Sequence, residues 1–250
     1  MVRDEADIIE ESLRHLAANV DEVLVWDNGS TDGTADILEE LLPELGGVLT
    51  NDPEVAYWQS RKMTAAAQLA RARGHEWVVP CDADELWYAP EADTVGEHLT
   101  RVGRDVQIVR ATLYDYMPPP DLDGWHPFVA ITYRRREPGV YPKVACRTHP
   151  DLVIDAGNHG ARYGVRRAMK VDGLVIRHFT WRTREQYLRK IRNGLEAYGA
   201  TDLPEHTGAH WRMWEGASDE EIMEHFDTWF TAVDPEADPA LVRDPAVVLG

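Results

Sequence analysis

An α/β fold with a mixed sheet flanked by helices, a single domain closed by C-terminal helices, is the architecture this sequence predicts. Through the first ninety residues, helix-spaced and strand-like apolar runs take turns, the order that builds parallel βαβ units. Beyond residue 100, strand candidates follow one another without helices between them, which suits a mixed or antiparallel extension. The 250 residues, 44% apolar and 28% charged, fit one large globular domain with a core of its own.

Each element follows from local pattern. Ile8, Ile9, Leu13 and Leu16 recur at helical spacing, and Glu22 to Trp26 is a short buried-strand pattern ending at Asp27. Asn28 to Thr34 is a turn in which Ser30 or Thr31 can cap the next helix. That helix carries Ile37, Leu38, Leu41 and Leu42 on one face, and Pro43 and Gly46 mark its end. Gly47 to Asn51 predicts a strand, Ala56 to Arg73 a helix, and Glu76 to Pro80 a strand delivering Cys81-Asp-Ala-Asp-Glu85 to its carboxyl end, where open α/β sheets bind ligands. Further strands are expected at Val106–Leu113, Val129–Tyr133, Val144–Arg147, Leu152–Asp155 and Val171–His178. Tyr114 to Pro127, with three consecutive prolines, reads as a long surface loop and a candidate lid. Helices are expected over Thr183–Tyr198 and from Ser218 onward. Residues 1–230 thus form the domain, in halves 1–100 and 101–230, and the acidic, proline-containing 231–250 is expected to be a loosely held tail.

Charge narrows the function. With a formal net charge of −18, an open nucleic-acid surface is not expected, since phosphate-backbone binding draws on clustered Lys and Arg. Yet residues 134–192 carry fifteen basic and five acidic side chains, so one segment is strongly basic inside an acidic protein. Such a segment either focuses a small phosphorylated ligand or offsets acidic neighbours across packed elements. No apolar run approaches the ~18 residues of a membrane span, and the N-terminus lacks a signal pattern. With only Cys81 and Cys146, a reducing, cytoplasmic location is expected.

Asp82-Ala-Asp84-Glu85, after an apolar strand, is the most informative local feature. Carboxylates there can hold magnesium or manganese beside a diphosphate, although D-x-D triplets also arise by chance in acidic chains. Asp27, at another strand end, suits either a nucleoside contact or a turn aspartate. Arg61 suits either a diphosphate contact or a surface charge.

Val2 to Glu10, Val23 to Thr34 and Trp77 to Glu85, in that order and spacing, closely resemble the glycosyltransferase family 2-like enzymes of GT-A (Rossmann-like) fold. The segment from His178 to Tyr187 is similar to the family's C-terminal histidine-and-helix region. The resemblance implies a metal-dependent enzyme, with Mn2+ or Mg2+, that moves a sugar from a nucleotide diphosphate, UDP by preference, to a hydroxyl of a saccharide or small-molecule acceptor, with inversion. It implies that Glu5, Asp27, Arg61 and Asp82 bind the nucleotide and that Asp82, Asp84 and His178 form the metal site. A structural histidine, or one touching phosphate directly, is the other reading of His178.

No segment matches the family's catalytic-base motif unmistakably. Asp155 is the candidate base, and His159, in the glycine-rich turn that follows, can orient the acceptor or act as base. Lys143 and Arg147 are candidate phosphate contacts or ion-pair partners, and Trp125 a candidate platform for the acceptor. One departure stands out: only Met1 and Val2 precede the region matching Arg3-Asp-Glu5, where the family has a full first strand. Either the natural chain begins upstream, another segment covers the sheet, or donor binding is impaired. The competing functions are a nucleotidyltransferase and a non-catalytic nucleotide- or carbohydrate-binding domain of the same fold.

Overall fold

The computed structural model describes the chain apart from residues 123, 165–166, 205, 232–233 and 247–250. Helix α1 (Ile9–Asn19) and helix α2 (Thr34–Glu44) pack Ile9, Leu13, Leu38, Leu41 and Leu42 around Val23 and Val25 of the segment leading through strand β1 (Leu24–Asp27). Spacings of three and four place those residues on one stripe of each helix. Strand β2 (Val48–Asn51) runs parallel to β1, with Leu24 opposite Val48 and Asp27 opposite Asn51. On the other edge of β1, Val2 makes a parallel bridge to Asp27. Its amide donates to the Trp26 carbonyl at 2.8 Å, and its carbonyl accepts from the Asn28 amide at 2.8 Å. Beside this bridge lies an apolar cavity of about 330 Å³, lined among others by Leu16, Val23, Val25, Ala70 and Trp77.

Helix α3 (Gln59–Ala72) leads to strand β3 (Trp77–Val78), which is shorter than expected. Strand β4 (Glu85–Tyr88) and helix α4 (Val95–Arg101) follow. Strand β5 (Ile108–Met117) is the centre of the main sheet. Helix α5 (Pro127–Ala130), strand β6 (Tyr133–Arg135), strand β7 (Lys143–Arg147), the hairpin of strands β8 (Leu152–Ile154) and β9 (Ala161–Tyr163), and strand β10 (Lys170–His178) complete the middle of the chain. Along one edge β5 is parallel to β10; along the other it is antiparallel to β7 near its start and to β6 near its end. Beyond β10 lies antiparallel β4, and beyond β7 lies antiparallel β3. Because successive strand residues face opposite sides, Ile108, Val144 and Cys146 pack on Met63 and Ala67 of α3. Val109, Ala111, Leu174 and Ile176 pack on Val95 and Leu99 of α4.

Three C-terminal helices, α6 (Arg184–Gly199), α7 (Ala209–Arg212) and α8 (Asp219–Phe226), gather an aromatic cluster in which Tyr187 and Ile191 meet Ile222 and Phe226. The Thr183 side chain caps α6 and Ser218 with Glu221 forms a capping box on α8. Both helix starts agree with the sequence signals.

Several expectations need correction. The α2 cap position is Gly33, at φ 99°, a left-handed value that favours glycine. Asp32 accepts from the Thr34 amide at 3.1 Å, while the Ser30 and Thr31 hydroxyls turn to Asp27 and Asp4. Val129–Tyr133 is not a continuous strand: Pro127 at the first helical position and His126 accepting from the Phe128 amide start α5 there instead. The proline-rich loop is shorter than expected because β5 runs through Tyr114–Met117. Within 231–250, strand β11 (Leu241–Arg243) pairs antiparallel with β6, and the Asp244 carboxylate holds Arg134 and Arg177. That part of the expected tail is therefore built into the sheet, while 232–233 and 247–250 lie outside the described residues. Among the described residues no helix is long and apolar enough to cross a membrane.

Candidate active site

The D-x-D segment is a tight turn between β3 and β4, closed by the Glu85 amide donating to the Asp82 carbonyl at 3.2 Å. Strand β4 then pairs with β10 so that Glu85 sits opposite His178, and the Phe179 amide donates to the Asp84 carbonyl at 2.8 Å. This register brings His178 to the acidic turn. Lys143, at the start of β7, reaches Asp82 Oδ2 at 2.6 Å and Glu85 Oε1 at 2.8 Å. Lys190, from the second turn of α6, pairs with Asp84 and lies 3.3 Å from Glu5 Oε1. Arg182, completely buried, pairs with Glu5 and with Asp7 Oδ2 at 2.6 Å. His178 Nδ1 is 2.8 Å from Asp115 Oδ1 and its Nε2 is 3.7 Å from Asp84 Oδ2.

These charges tune one another. Burial alone would raise the Asp84 carboxyl, but Lys190, His178 and Arg182 outweigh it and hold the group far below the usual carboxylate range. Burial would likewise raise Asp82, and Lys143 brings it down. Glu85 is the exception: burial pushes it up, and Lys143 offsets that only in part. Burial lowers both lysines, yet Asp82 and Glu85 raise Lys143, and Asp84 and Glu5 raise Lys190, above ordinary values. His178 is raised too, because Asp84 and Asp115 overcome its burial. Asp82, Asp84 and Lys143, all among the sequence candidates, thus converge as charged groups.

The loop after β8 approaches the same turn. The Gln59 Nε2 and Asn158 Nδ2 amides both donate to Asp82 Oδ1, at 3.3 and 3.2 Å, and the Gly157 amide donates to Gln59 Oε1 at 2.5 Å. Gly157 has φ 74°, and a Cβ there would lie 2.5 Å from the His159 ring, so two constraints call for glycine. His159 Nδ1 lies 3.1 Å from the Pro142 carbonyl, which can only accept. The proton is therefore on Nδ1, and Nε2 carries a lone pair. Burial and the Lys143 charge keep this imidazole below its ordinary pKa, hence neutral. Asp155 points elsewhere: its carboxylate, partly exposed, accepts from Arg162 at 3.0 Å.

The remaining candidates spread out. Glu5 lies at the site, under Arg182 and Lys190. Asp27 is buried at the end of β1, its Oδ1 accepting from the Ser30 hydroxyl at 2.5 Å and amide at 3.2 Å, the geometry of a turn aspartate. Arg61 is exposed on α3. Its neighbour Lys62 is the one that turns inward, pairing with Asp52 at 3.0 Å and donating to Asn28 Oδ1 at 3.2 Å. Arg147 lies four residues along β7 from Lys143, about 14 Å away at strand rise. It stacks on Trp77 and pairs with Glu76, so the fold does not bring it to the acidic turn. Trp125 is 63% exposed in the loop after β5, which Leu122 ties to the core around Tyr116 and Phe128. Sequence reasoning missed Lys190, Arg182, Gln59, Asn158 and Asp115. Gln186, Lys190 and Asn193 do share one face of α6 by spacing, a signal that was available.

A divalent cation does not fit these residues as they stand. Both D-x-D carboxylates are engaged by lysine ammonium groups, and among the described residues no group of three or more His, Cys, Asp or Glu side chains is placed to hold a metal ion. The three proposed ligands, Asp82, Asp84 and His178, are neighbours without forming a ligand set, because each is already paired with another side chain: Lys143, Lys190 and Asp115 respectively.

Residues 1–162 match the profile of glycosyl transferase family 2. The chain belongs to that family. It is a glycosyltransferase of GT-A fold with a nucleotide sugar as donor, and the nucleotidyltransferase and non-catalytic readings give way to this. Among solved structures the glycosyltransferase is similar to the crystal structure of S. aureus TarS 1–349 in complex with UDP, at 14% identity and TM-score 0.41, covering 91% of this chain and 70% of that one. It is also similar to S. aureus TarS (15% identity, TM-score 0.42, 91% of this chain and 42% of that one). A third is the crystal structure of a mycobacterial protein (14% identity, TM-score 0.36, 81% and 73%). No curated protein matches the chain.

Proposed function

We propose that this glycosyltransferase takes a UDP-sugar and transfers the sugar, with inversion, to a hydroxyl of a saccharide or small-molecule acceptor. The observation that carries the reading is the convergence of Lys143, Lys190 and His178 with Asp82, Asp84 and Glu5 at the ends of the strands where α/β sheets bind ligands. Glu5 and Asp27 line the nucleotide side. Asp27, beside the Lys62–Asp52 pair, offers a carboxylate to the imide N–H of uracil. Asn158 adds a buried Oδ1 without a hydrogen-bond partner, suited to accept from a sugar hydroxyl.

In the reaction, the acceptor oxygen forms a bond to the anomeric carbon as the bond from that carbon to the β-phosphate oxygen breaks. The electron pair of the broken bond leaves on the diphosphate, where fixed positive charge stabilises it. The acceptor proton goes to a base on the opposite face, and His159 Nε2 fills that role better than Asp155. His159 is neutral, with its proton on Nδ1 and a lone pair on Nε2, and is subject to the Lys143 charge, whereas Asp155 is committed to Arg162. Trp125 is offered as an acceptor contact.

Incubation with a panel of nucleotide sugars tests the donor, because slow transfer to water needs no acceptor. UDP released from a UDP-sugar, with the freed sugar of opposite anomeric configuration by NMR, is the expected result. Release from GDP- or dTDP-sugars alone, or retention of configuration, would overturn the corresponding part. His159→Ala should lower turnover by about 100-fold or more at saturating donor, while Asp155→Asn leaves it near wild type.

A further inference from the structure

We infer that the ammonium groups of Lys143 and Lys190 take the place of a divalent cation in this enzyme, meeting the diphosphate directly, so that donor binding is independent of metal. This rests on the nucleotide-sugar reading above and goes beyond it by naming the charges that do the work.

Each ammonium spans one D-x-D carboxylate and one further acid: Lys143 holds Asp82 and Glu85, Lys190 holds Asp84 and Glu5. An ammonium has three N–H donors: one hydrogen-bonds to the D-x-D carboxylate, at most a second faces the further acid, which lies within ion-pair range, and a third is left for a phosphate oxygen. The arrangement resembles what a cation does in such a site, bridging fixed carboxylates to a mobile anion. Four carboxylates without partners would repel a diphosphate and recruit a divalent ion. With Lys143, Lys190 and Arg182 among them, that electrostatic drive is spent inside the protein. An ion entering the turn would have to displace an ammonium and leave it buried without its partner. Both lysines stand on rigid elements, Lys143 on a strand flanked on both sides in the main sheet and Lys190 on the capped helix α6, so their positions are set before the donor arrives. Lys190 retains 21% side-chain exposure, which leaves it an open side. As the bond to the anomeric carbon breaks, the charge arriving on the diphosphate is met by these third N–H groups, with no co-reactant required.

The test is calorimetric titration of the intact protein with UDP, GDP and dTDP, first in excess EDTA and then with millimolar manganese. The preferred nucleotide should bind with the same affinity, within about twofold, in both conditions. Lys190→Gln should weaken binding in EDTA by about tenfold or more, the loss of a charge-assisted contact, and manganese should restore part of it because the Asp84 oxygen is vacated. Wild-type binding that disappears in EDTA and returns with manganese overturns the inference and leaves the nucleotide-sugar reading standing. Undiminished binding by a folded Lys190→Gln also overturns it. If none of the three nucleotides binds in either condition, both fall. The wild-type comparison decides the matter even if the variant does not fold.

Discussion

Arg182 illustrates what a single buried charge can do. Its guanidinium is fully enclosed, yet Glu5, Asp7 and the Phe179 carbonyl satisfy it from two segments far apart in sequence. Removing one partner of such a group leaves an uncompensated charge and typically costs about 3–5 kcal/mol. His15 is the neutral counterpart. It is buried on α1, with Nε2 2.9 Å from the Trp87 carbonyl, and burial lowers its pKa against that hydrogen bond. A base whose folded pKa lies below its unfolded value contributes stability that is present above the unfolded pKa, about 6.5, and is lost as pH falls through the folded value. His15→Gln should therefore flatten the decline of the urea midpoint between neutral and mildly acidic pH. An unchanged slope in the variant would refute the assignment. His15 also shows a limit of reading: its position on a helix suggests nothing about pKa until Trp87 is seen above it.

Helices and strands carry the site as units. Helix α6 turns its apolar residues Tyr187 and Ile191 to α8 and its polar residues Lys190 and Asn193 to the acidic turn and Asp4, so one helix serves as both packing element and source of charge. Helix α8 backs it, started by the Ser218–Glu221 capping box. Ser218→Ala should lower stability by about 1 kcal/mol, read from urea unfolding, since one amide at the helix start loses its acceptor. A loss no larger than experimental error would mean that packing alone defines this end. Cap and periodicity were legible in the sequence because both are local. Strand β4 was not: four residues directly after the D-x-D turn give too short a pattern, and only pairing with β10 makes them a strand.

At the scale of the molecule, the basic segment divides in two. Arg134 and Arg177 meet Asp244, Arg147 meets Glu76 and Arg192 meets Asp219, all offsets between packed elements. Lys143, His178, Arg182 and Lys190 converge on the acidic turn and its neighbours instead. An apolar cavity lies beside β1, lined in part by Ala70 of α3. Ala70→Leu, which fills it from α3, should raise stability by about 0.5–2 kcal/mol, seen as a higher thermal midpoint. A lowered midpoint would show that the lining is already close-packed.

By itself, the sequence determined the longer helices, the caps of α6 and α8, the alternation that makes the fold α/β, the family, and the acidic turn at a strand end. All of these are written in spacings of a few residues or in short motifs. Only the tertiary structure decided which charges share that turn. Lys143 comes from β7 and Lys190 from α6, 61 and 106 residues from their aspartate partners. The physical reason is that strand register and helix docking set those distances, and both depend on burying apolar faces across the whole chain rather than on any local pattern.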